Sequence, residues 1–229
     1  MIAVIGDIHG CYYTLVELYN KVRKKYPDIE IYAVGDFIDR GNNSYEVMEF
    51  VLEKKIKFTP GNHEYMFYNF FKDPTSVFAR SWVFNGSEAT LESYEDNEEK
   101  VFEHIKVIKG APFYIDTPDC FISHAGISKE YEHFLPKNFR NNLKSLYEII
   151  YNDYRSDRGV LWCRDEPLNI GKLQIIGHTK HQEIIFDEDN NAVYIDTGAY
   201  VGNKLSAIIV NKEQIIDVID VKTHLNDII

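Results

Sequence analysis

The sequence has few cysteines, no long apolar run and comparatively few basic residues, and each shortage excludes a class of protein. The three cysteines among its 229 residues, Cys11, Cys120 and Cys163, have neither the even count of a disulfide framework nor the spacing of a zinc knuckle. We therefore expect buried, reduced thiols. No apolar run approaches the roughly 18–20 residues that cross a bilayer. Residues 1–6 lack a basic leader, so we expect a strand there, and a cytoplasmic protein without a membrane partner.

Acidic residues exceed basic ones, 36 against 25, and the formal net charge is −11. This balance argues against a nucleic-acid partner, because duplex binding depends on Lys and Arg that neutralise phosphates. It does not exclude a site for phosphate, since bound cations can invert the local field. Apolar residues make up 45% and charged residues 27%, as in ordinary globular proteins. We expect one domain that spans residues 1–229.

The first half of the chain alternates between strand and helix patterns. Residues 2–5, 29–34 and 56–59 are short apolar runs of strand type. Between them, residues 15–22 and 47–51 carry apolar side chains at helical spacing. A β-α-β-α-β series of this kind predicts parallel strands with right-handed crossovers.

The rest of the chain changes character twice. Residues 64–110 are predicted to be mostly helical, with an aromatic face that we assign to core packing. A further helix is predicted near residues 141–151. The remaining strand-like runs are residues 113–115, 120–122, 174–176, 192–195, 207–210 and 215–218. Closely spaced strands predict a second, mostly antiparallel sheet. We therefore expect an α/β fold, a two-layer β-sandwich of mixed sheets flanked by helices.

Potential metal ligands follow several of these apolar runs directly. Sites in open α/β sheets form outside the carboxyl ends of strands, so the shared position is stronger evidence than any single residue. The six candidate ligands are two Asp, three His and one Asn, a set that suits Mn²⁺, Fe²⁺ or Zn²⁺ better than Mg²⁺ or Ca²⁺. A buried polar network is the alternative, and it is disfavoured because so many buried polar groups need compensation. The six candidates are Asp7, His9, Asp36, Asn62, His124 and His178.

These residues lie in motifs that resemble the metallophosphoesterases of the phosphoprotein phosphatase (PPP) type. The matching blocks are Asp7-x-His9, residues 35–41 (GDFIDRG), 61–64 (GNHE), 123–126 (SHAG), 161–164 (LWCR), 177–179 (GHT) and 196–199 (DTGA) with Lys204-Leu205. The resemblance implies the calcineurin-like, four-layer α-β-β-α fold. The compact length and residues 82–91 are similar to the small bacterial and phage serine/threonine phosphatases. Cys163 and Asn203 depart from the usual Ser and Gly, without an expected effect on the chemistry.

The resemblance implies two divalent ions, of which Mn²⁺ is the expected kind and Fe or Zn the alternatives. A hydroxide activated by both ions would attack the phosphorus, without a covalent phosphoenzyme. The first ion would be held by Asp7, His9 and Asp36. The second would be held by Asp36, Asn62, His124 and His178, with Asp36 shared.

The remaining catalytic roles fall to residues beside the ligands. His63 would act as the general acid, with Asp39 to orient it; a turn role for Asp39, paired with Arg40, stays open. Arg40 and Arg164 would bind the phosphate oxygens, together with Asn62 and His63. Arg164 could instead be a solvated surface arginine, but the adjoining Leu161-Trp162 favours the phosphate role. Asp196 and His181 receive no assigned role.

The predicted function is a serine/threonine protein phosphatase that acts on phosphoproteins or small phosphate esters. The alternative is symmetrical hydrolysis of dinucleoside polyphosphates, such as diadenosine tetraphosphate, at the same site. A non-catalytic scaffold is disfavoured because every ligand position is filled, and a nuclease is disfavoured by the acidic balance. We expect a monomer. The physiological substrate and the native metal stay open at this point.

Overall fold

The computed structural model describes residues 1–228, and in that part of the chain it has ten strands and seven α-helices. The strands are β1 (Ile2–Ile5), β2 (Glu30–Ala33), β3 (Lys57–Phe58), β4 (Tyr114–Asp116), β5 (Phe121–Ser123), β6 (Gln174–Ile176), β7 (Ile185–Asp187), β8 (Ala192–Tyr194), β9 (Lys204–Asn211) and β10 (Gln214–Lys222). The helices are α1 (Tyr12–Lys25), α2 (Ser44–Glu53), α3 (Asn62–Lys72), α4 (Val77–Val83), α5 (Ser87–Ser93), α6 (Glu98–Gly110) and α7 (Lys144–Asp153).

The strands form two five-stranded mixed sheets, with the orders β10-β9-β1-β2-β3 and β4-β5-β6-β8-β7. In the first sheet β1, β2 and β3 are parallel, as the alternating pattern predicted, and β9 pairs with β1 in the antiparallel sense. The expectation of a mostly antiparallel second sheet was wrong. Its central strands β5, β6 and β8 are parallel, and only the edge strands are antiparallel.

The last two strands, β9 and β10, belong to the first sheet and not to the second. An apolar run marks a segment as a strand, but it does not reveal which edge the strand will join. β9 is buried from Leu205 to Val210 because it lies between β1 and β10, inside the sandwich. β7 was not predicted, and its Ile185 and Phe186 are exposed at the sheet edge.

The two sheets pack face to face and carry helices outside, which confirms the predicted α-β-β-α layers. One buried cluster, between the sheets, joins Val4 of the first sheet to Ile175 and Val193 of the second. A second cluster packs the outer face of the first sheet against α1 and α2. A third packs Phe121 of the second sheet against Leu146 of α7. Alternate residues of each strand thus serve different layers.

The segment between α3 and α6 forms two short helices, α4 and α5, which pack on α3 and α2 and which we call the cap (residues 77–93). Trp82 of α4 is fully buried, and its ring lies 5.2 Å from that of Phe67 and 4.8 Å from that of Phe70. This confirms the core role of the aromatic face of α3. The three cysteines are free and buried, as expected. Within residues 1–228 no helix combines the length and apolar character needed to cross a membrane.

Candidate active site

The predicted ligands meet where the carboxyl ends of both sheets face each other. Five residues of the candidate site have a positive φ, although none is glycine: His9 (47°), Asp36 (50°), Asp39 (69°), Arg40 (74°) and His178 (62°). A left-handed backbone costs a non-glycine residue of order 1–3 kcal/mol, so the surrounding structure must hold these turns in place.

A carboxylate that the sequence analysis missed, Glu64, holds the turn after β2. Its Oε2 accepts the backbone N–H groups of Asp36 and Gly61, both at 2.7 Å, and its Oε1 accepts that of Phe37, also at 2.7 Å. Glu64 is fully buried in the first turn of α3, where the helix dipole favours a negative charge. In the sequence, the position of Glu64 directly after Asn62-His63 is the signal that could have identified it as part of the site.

Glu64→Gln is expected to lower the free energy of unfolding by about 2 kcal/mol or more. The amide keeps one acceptor oxygen but turns an NH₂ group toward backbone N–H donors, which leaves buried donors unpaired. Urea unfolding would measure the change, with the exposed Glu92→Gln as the matched control. A Glu64→Gln stability within about 0.5 kcal/mol of the parent, the range of ordinary surface changes, would contradict this role.

His9 and His124 present acceptor nitrogens to the centre of the site. Nδ1 of His9 donates to the carbonyl of Ile38, and Nδ1 of His124 donates to that of Val34, both at 2.9 Å. Nε2 of each ring is therefore an acceptor. These two nitrogens lie 3.4 and 3.5 Å from Oδ2 of Asp36, which stands between them. Backbone carbonyls thus fix both tautomers in the form that binds metals.

Further acceptors converge on the same place. Nε2 of His124 lies 3.0 Å from Oδ1 of Asn62 and 3.1 Å from Nδ1 of His178. Oδ2 of Asp7 accepts the backbone N–H of His178 at 2.9 Å. Oδ1 of Asp7 and Nε2 of His178 are buried and find no hydrogen-bond partner within residues 1–228. Since Nε2 of His124 and Oδ1 of Asn62 are both acceptors, and two further buried polar atoms stay unpaired, this arrangement fits a bound cation better than a network of hydrogen bonds.

The pKa shifts of the acidic residues also favour a bound cation at this site. Burial and the neighbouring charge of Asp196 raise the pKa of Asp7 well above its usual range. Burial and the charge of Asp36 raise the pKa of Asp196 to about 6, although the hydrogen bond from the backbone N–H of Gly198 lowers it. A cation bound beside such crowded carboxyl groups would stabilise their ionised form.

Burial favours the neutral form of three imidazoles of the site, and the neutral form is the one that binds metals. Burial lowers the pKa of His9, His124 and His178. Burial opposes ionisation of Asp36 as well, but the imidazoles around it, led by His124, lower its pKa. Two groups of donor atoms each lie within a 4.8 Å span, Asp36-His124-His178 and His9-Asp36-His63; the second contains His63 where the sequence predicted Asp7. The donor set therefore fits divalent ions that share Asp36.

His63 forms a buried pair with Asp39. Nδ1 of His63 donates to Oδ2 of Asp39 at 2.6 Å, and both side chains are almost completely buried. Burial works against a charged imidazole, but the negative charge of Asp36 and the bond to Asp39 outweigh it and raise the pKa of His63. Asp39 is thus placed to orient His63, and it does not form the turn pair with Arg40 that the sequence analysis left open.

The two arginines face one cavity of about 480 Å³. His63 and Trp162 line it together with Arg40 and Arg164. The guanidinium of Arg40 lies 3.2 Å from Nε2 of His9 and 3.1 Å from Nε2 of His63. It also lies 4.3 Å from the ring centre of Tyr200, a neighbour that the sequence analysis missed. The cavity therefore joins the metal-binding groups, His63 and two cations.

Asp196 neighbours Asp7 of this group, and its carbonyl accepts the backbone N–H of His181 at 3.0 Å. Oδ1 of Asp196 accepts the backbone N–H of Gly198 at 2.9 Å, which is ordinary turn geometry. The ring of His181 packs on Tyr194 with centroids 5.5 Å apart. The structure brings the six ligand candidates together with His63, Asp39 and Arg40. Of the predicted residues, Asn62, His63, His178, Arg40 and Arg164 line the cavity.

Comparison with known proteins gives a consistent match over nearly the whole chain. The sequence model of the family described as calcineurin-like phosphoesterase matches residues 1–210. A protein of Anoxybacillus flavithermus (strain DSM 21510 / WK1), named bis(5'-nucleosyl)-tetraphosphatase PrpE (asymmetrical), is 30% identical, with 90% of this chain and 88% of that protein covered. A Bacillus mycoides (strain KBAB4) protein of the same name has the same identity and coverage.

Solved structures with similar folds are named for several activities. A cold-active protein-tyrosine phosphatase of a Shewanella species matches with a TM-score of 0.64 and 18% identity, over 97% of this chain and 80% of that one. A protein serine/threonine phosphatase of Saccharomyces cerevisiae matches with a TM-score of 0.56 and 16% identity, over 97% and 79% of the two chains. At such identities the likeness extends to the fold alone.

Proposed function

This chain belongs to the calcineurin-like phosphoesterase family, and from that premise we propose that it hydrolyses dinucleoside polyphosphates asymmetrically. One observation carries the chemistry: Asp36 stands between two groups of buried imidazoles, and the His63–Asp39 pair opens onto the same cavity. The substrate class is supported by relatives 30% identical, which bear that name and match this chain over most of both lengths.

We propose that the chain holds two divalent ions. Asp7, His9 and Asp36 would bind the first ion, and Asn62, His124 and His178 would bind the second together with Asp36. When bound, such ions lower the pKa of a water molecule toward neutrality and polarise phosphoryl oxygens. We keep Mn²⁺ as the expected ion, because mixed carboxylate, amide and imidazole donors suit it, with Fe or Zn as the alternatives.

The other residues act on the substrate directly. Arg40 and Arg164 bind non-bridging phosphate oxygens from two sides of the cavity, since a guanidinium offers paired donors in a planar fork. Asn62 and His63 complete the phosphate contacts. His63, held through Nδ1 by Asp39, gives the proton on Nε2 to the oxygen of the leaving group as the bond to phosphorus breaks.

Phosphomonoester hydrolysis, as in a serine/threonine protein phosphatase, is the second candidate. The observation that favours it is the buried His63–Asp39 pair. A serine alkoxide is a far poorer leaving group than a nucleotide phosphate, so it depends more on a general acid. The names of the relatives favour the nucleotide substrate, and they give asymmetrical cleavage where our alternative interpretation had symmetrical cleavage.

A side-by-side assay tests this proposal. The purified chain with Mn²⁺ is given diadenosine tetraphosphate and a phosphoserine peptide at equal concentration, and the products are separated by chromatography. We expect ATP and AMP from the dinucleotide and a lower kcat/KM on the peptide. Two ADP would contradict asymmetrical cleavage, and a peptide preference above about tenfold would make the phosphatase the better assignment. Activity on neither substrate would support a scaffold.

A further inference from the structure

The cap supplies two hydrogen-bond donors to the carboxylate that orients His63. Asp39 is fully buried. Its Oδ1 accepts the hydroxyl of Thr90 at 2.6 Å, and the indole N–H of Trp82 lies 3.0 Å from Oδ1 and 2.9 Å from Oδ2. Nδ1 of His63 occupies the remaining side of Oδ2. These contacts fix the plane of the carboxylate.

The cap also holds the backbone on which this carboxylate stands. The N–H of Asp39 donates to Oγ1 of Thr90 at 2.9 Å and to Oγ of Ser44 at 3.1 Å. The N–H of Arg40 donates to the carbonyl of Gly86 at 3.3 Å. Asp39 and Arg40 are consecutive non-glycine residues with positive φ, a conformation that needs such support.

We propose that Trp82 and Thr90 are positioning residues for the proton transfer by His63. They hold Asp39 so that Oδ2 faces Nδ1 of the imidazole, and the ring then presents Nε2 to the leaving oxygen. Without them the buried carboxylate of Asp39 loses the donors that compensate its burial, and it turns away from the imidazole. The inference rests on the proposed function, since it acts through the general acid.

A merely structural role of the same residues would hold the cap on the domain and nothing more. Such a role lowers stability, and with it the activity on every substrate alike. If the residues position the general acid, their loss slows some substrates more than others. A general acid contributes most when the leaving group is a strong base. The dependence on leaving group therefore separates the two.

The chain offers conservative variants for this test. Thr90→Val keeps the shape of the side chain and removes the hydroxyl, whereas Thr90→Ser keeps the hydroxyl. Trp82→Phe removes the indole N–H. Phe70→Leu, which alters a ring packed on Trp82, is the control for lost aromatic packing. Each is assayed on p-nitrophenyl phosphate and on phenyl phosphate, whose leaving phenol has a pKa of about 10.

We expect Thr90→Val and Trp82→Phe to lose roughly tenfold or more in kcat on phenyl phosphate and clearly less on p-nitrophenyl phosphate. Thr90→Ser should recover most of the loss, and Phe70→Leu should show no preference between the substrates. In a His63→Asn background the two substitutions should have little further effect, since residues that act as a unit are not additive. Equal losses on both substrates, or losses that persist undiminished without His63, would overturn the inference.

A second readout needs no turnover. The chain has two tryptophans, so its ¹H–¹⁵N spectrum holds two indole N–H signals, and Trp82→Phe identifies one of them. We expect that signal to shift on Asp39→Asn in a folded protein, whereas an unmoved signal would contradict the contact. If His63→Asn itself shows no dependence on leaving group, the general acid and this inference fail together. If His63→Asn shows the dependence on leaving group but Thr90→Val and Trp82→Phe do not, the inference fails and the general acid stands.

Discussion

Replacing His63 by asparagine is expected to slow hydrolysis of phenyl phosphate by roughly 10²–10⁴-fold, the usual contribution of one acid-base group. The loss on p-nitrophenyl phosphate should be much smaller, because its leaving phenolate is stable without a proton. The expectation follows from the 2.6 Å bond between Nδ1 of His63 and Asp39, which directs Nε2 into the cavity.

Steady-state kinetics on the two aryl phosphates would measure this effect. His133→Asn is the matched control, since His133 is exposed and has no part in the site, and it should leave both rates unchanged. If His63→Asn slowed both substrates by the same factor, His63 would act by another route than proton donation.

Asp36→Asn is expected to lower activity by roughly 10³-fold or more on every substrate, whatever the leaving group. Oδ2 of Asp36 lies within 3.5 Å of the acceptor nitrogens of both His9 and His124, so its charge serves both donor groups. The change removes several kcal/mol of metal-derived stabilisation of the transition state, and each 1.36 kcal/mol is tenfold in rate.

Calorimetric titration with Mn²⁺ would measure the cause directly, with the exposed Asp28→Asn as the control. We expect Asp36→Asn to weaken binding of both ions and Asp28→Asn to weaken neither. If Asp36→Asn kept two tight ions and full activity, Asp36 would not be the shared ligand. The two variants also differ from each other, because only His63→Asn should select among leaving groups.

The order of elements and the position of the site could be predicted because their signals are local. The alternation of apolar runs with helical spacing identified β1, β2 and β3 as parallel strands, and the structure agrees. Polar residues directly after apolar runs were expected to meet at strand ends. Parallel strands end at the same edge, which is why Asp7 and Asp36 lie together after β1 and β2. His124 reaches them from the end of β5 in the facing sheet.

Contacts between distant segments could not be predicted in this way. Trp82 and Thr90 approach Asp39 across 43 and 51 residues, and neither carries a local sign of a polar partner. The expectation of an antiparallel second sheet was wrong for the same reason. The apolar runs of β9 and β10 do not indicate which strands they pair with. A buried donor can be recognised as functional only once its acceptor is known.

The most direct test of a two-metal phosphoesterase site is the metal content of the purified chain, measured by mass spectrometry together with turnover of p-nitrophenyl phosphate. The two donor groups around Asp36 predict two ions per chain with Mn²⁺ present. Chelation should remove both ions and the activity, and added Mn²⁺ should restore them. Undiminished turnover by a chain shown to be free of metal would contradict the account.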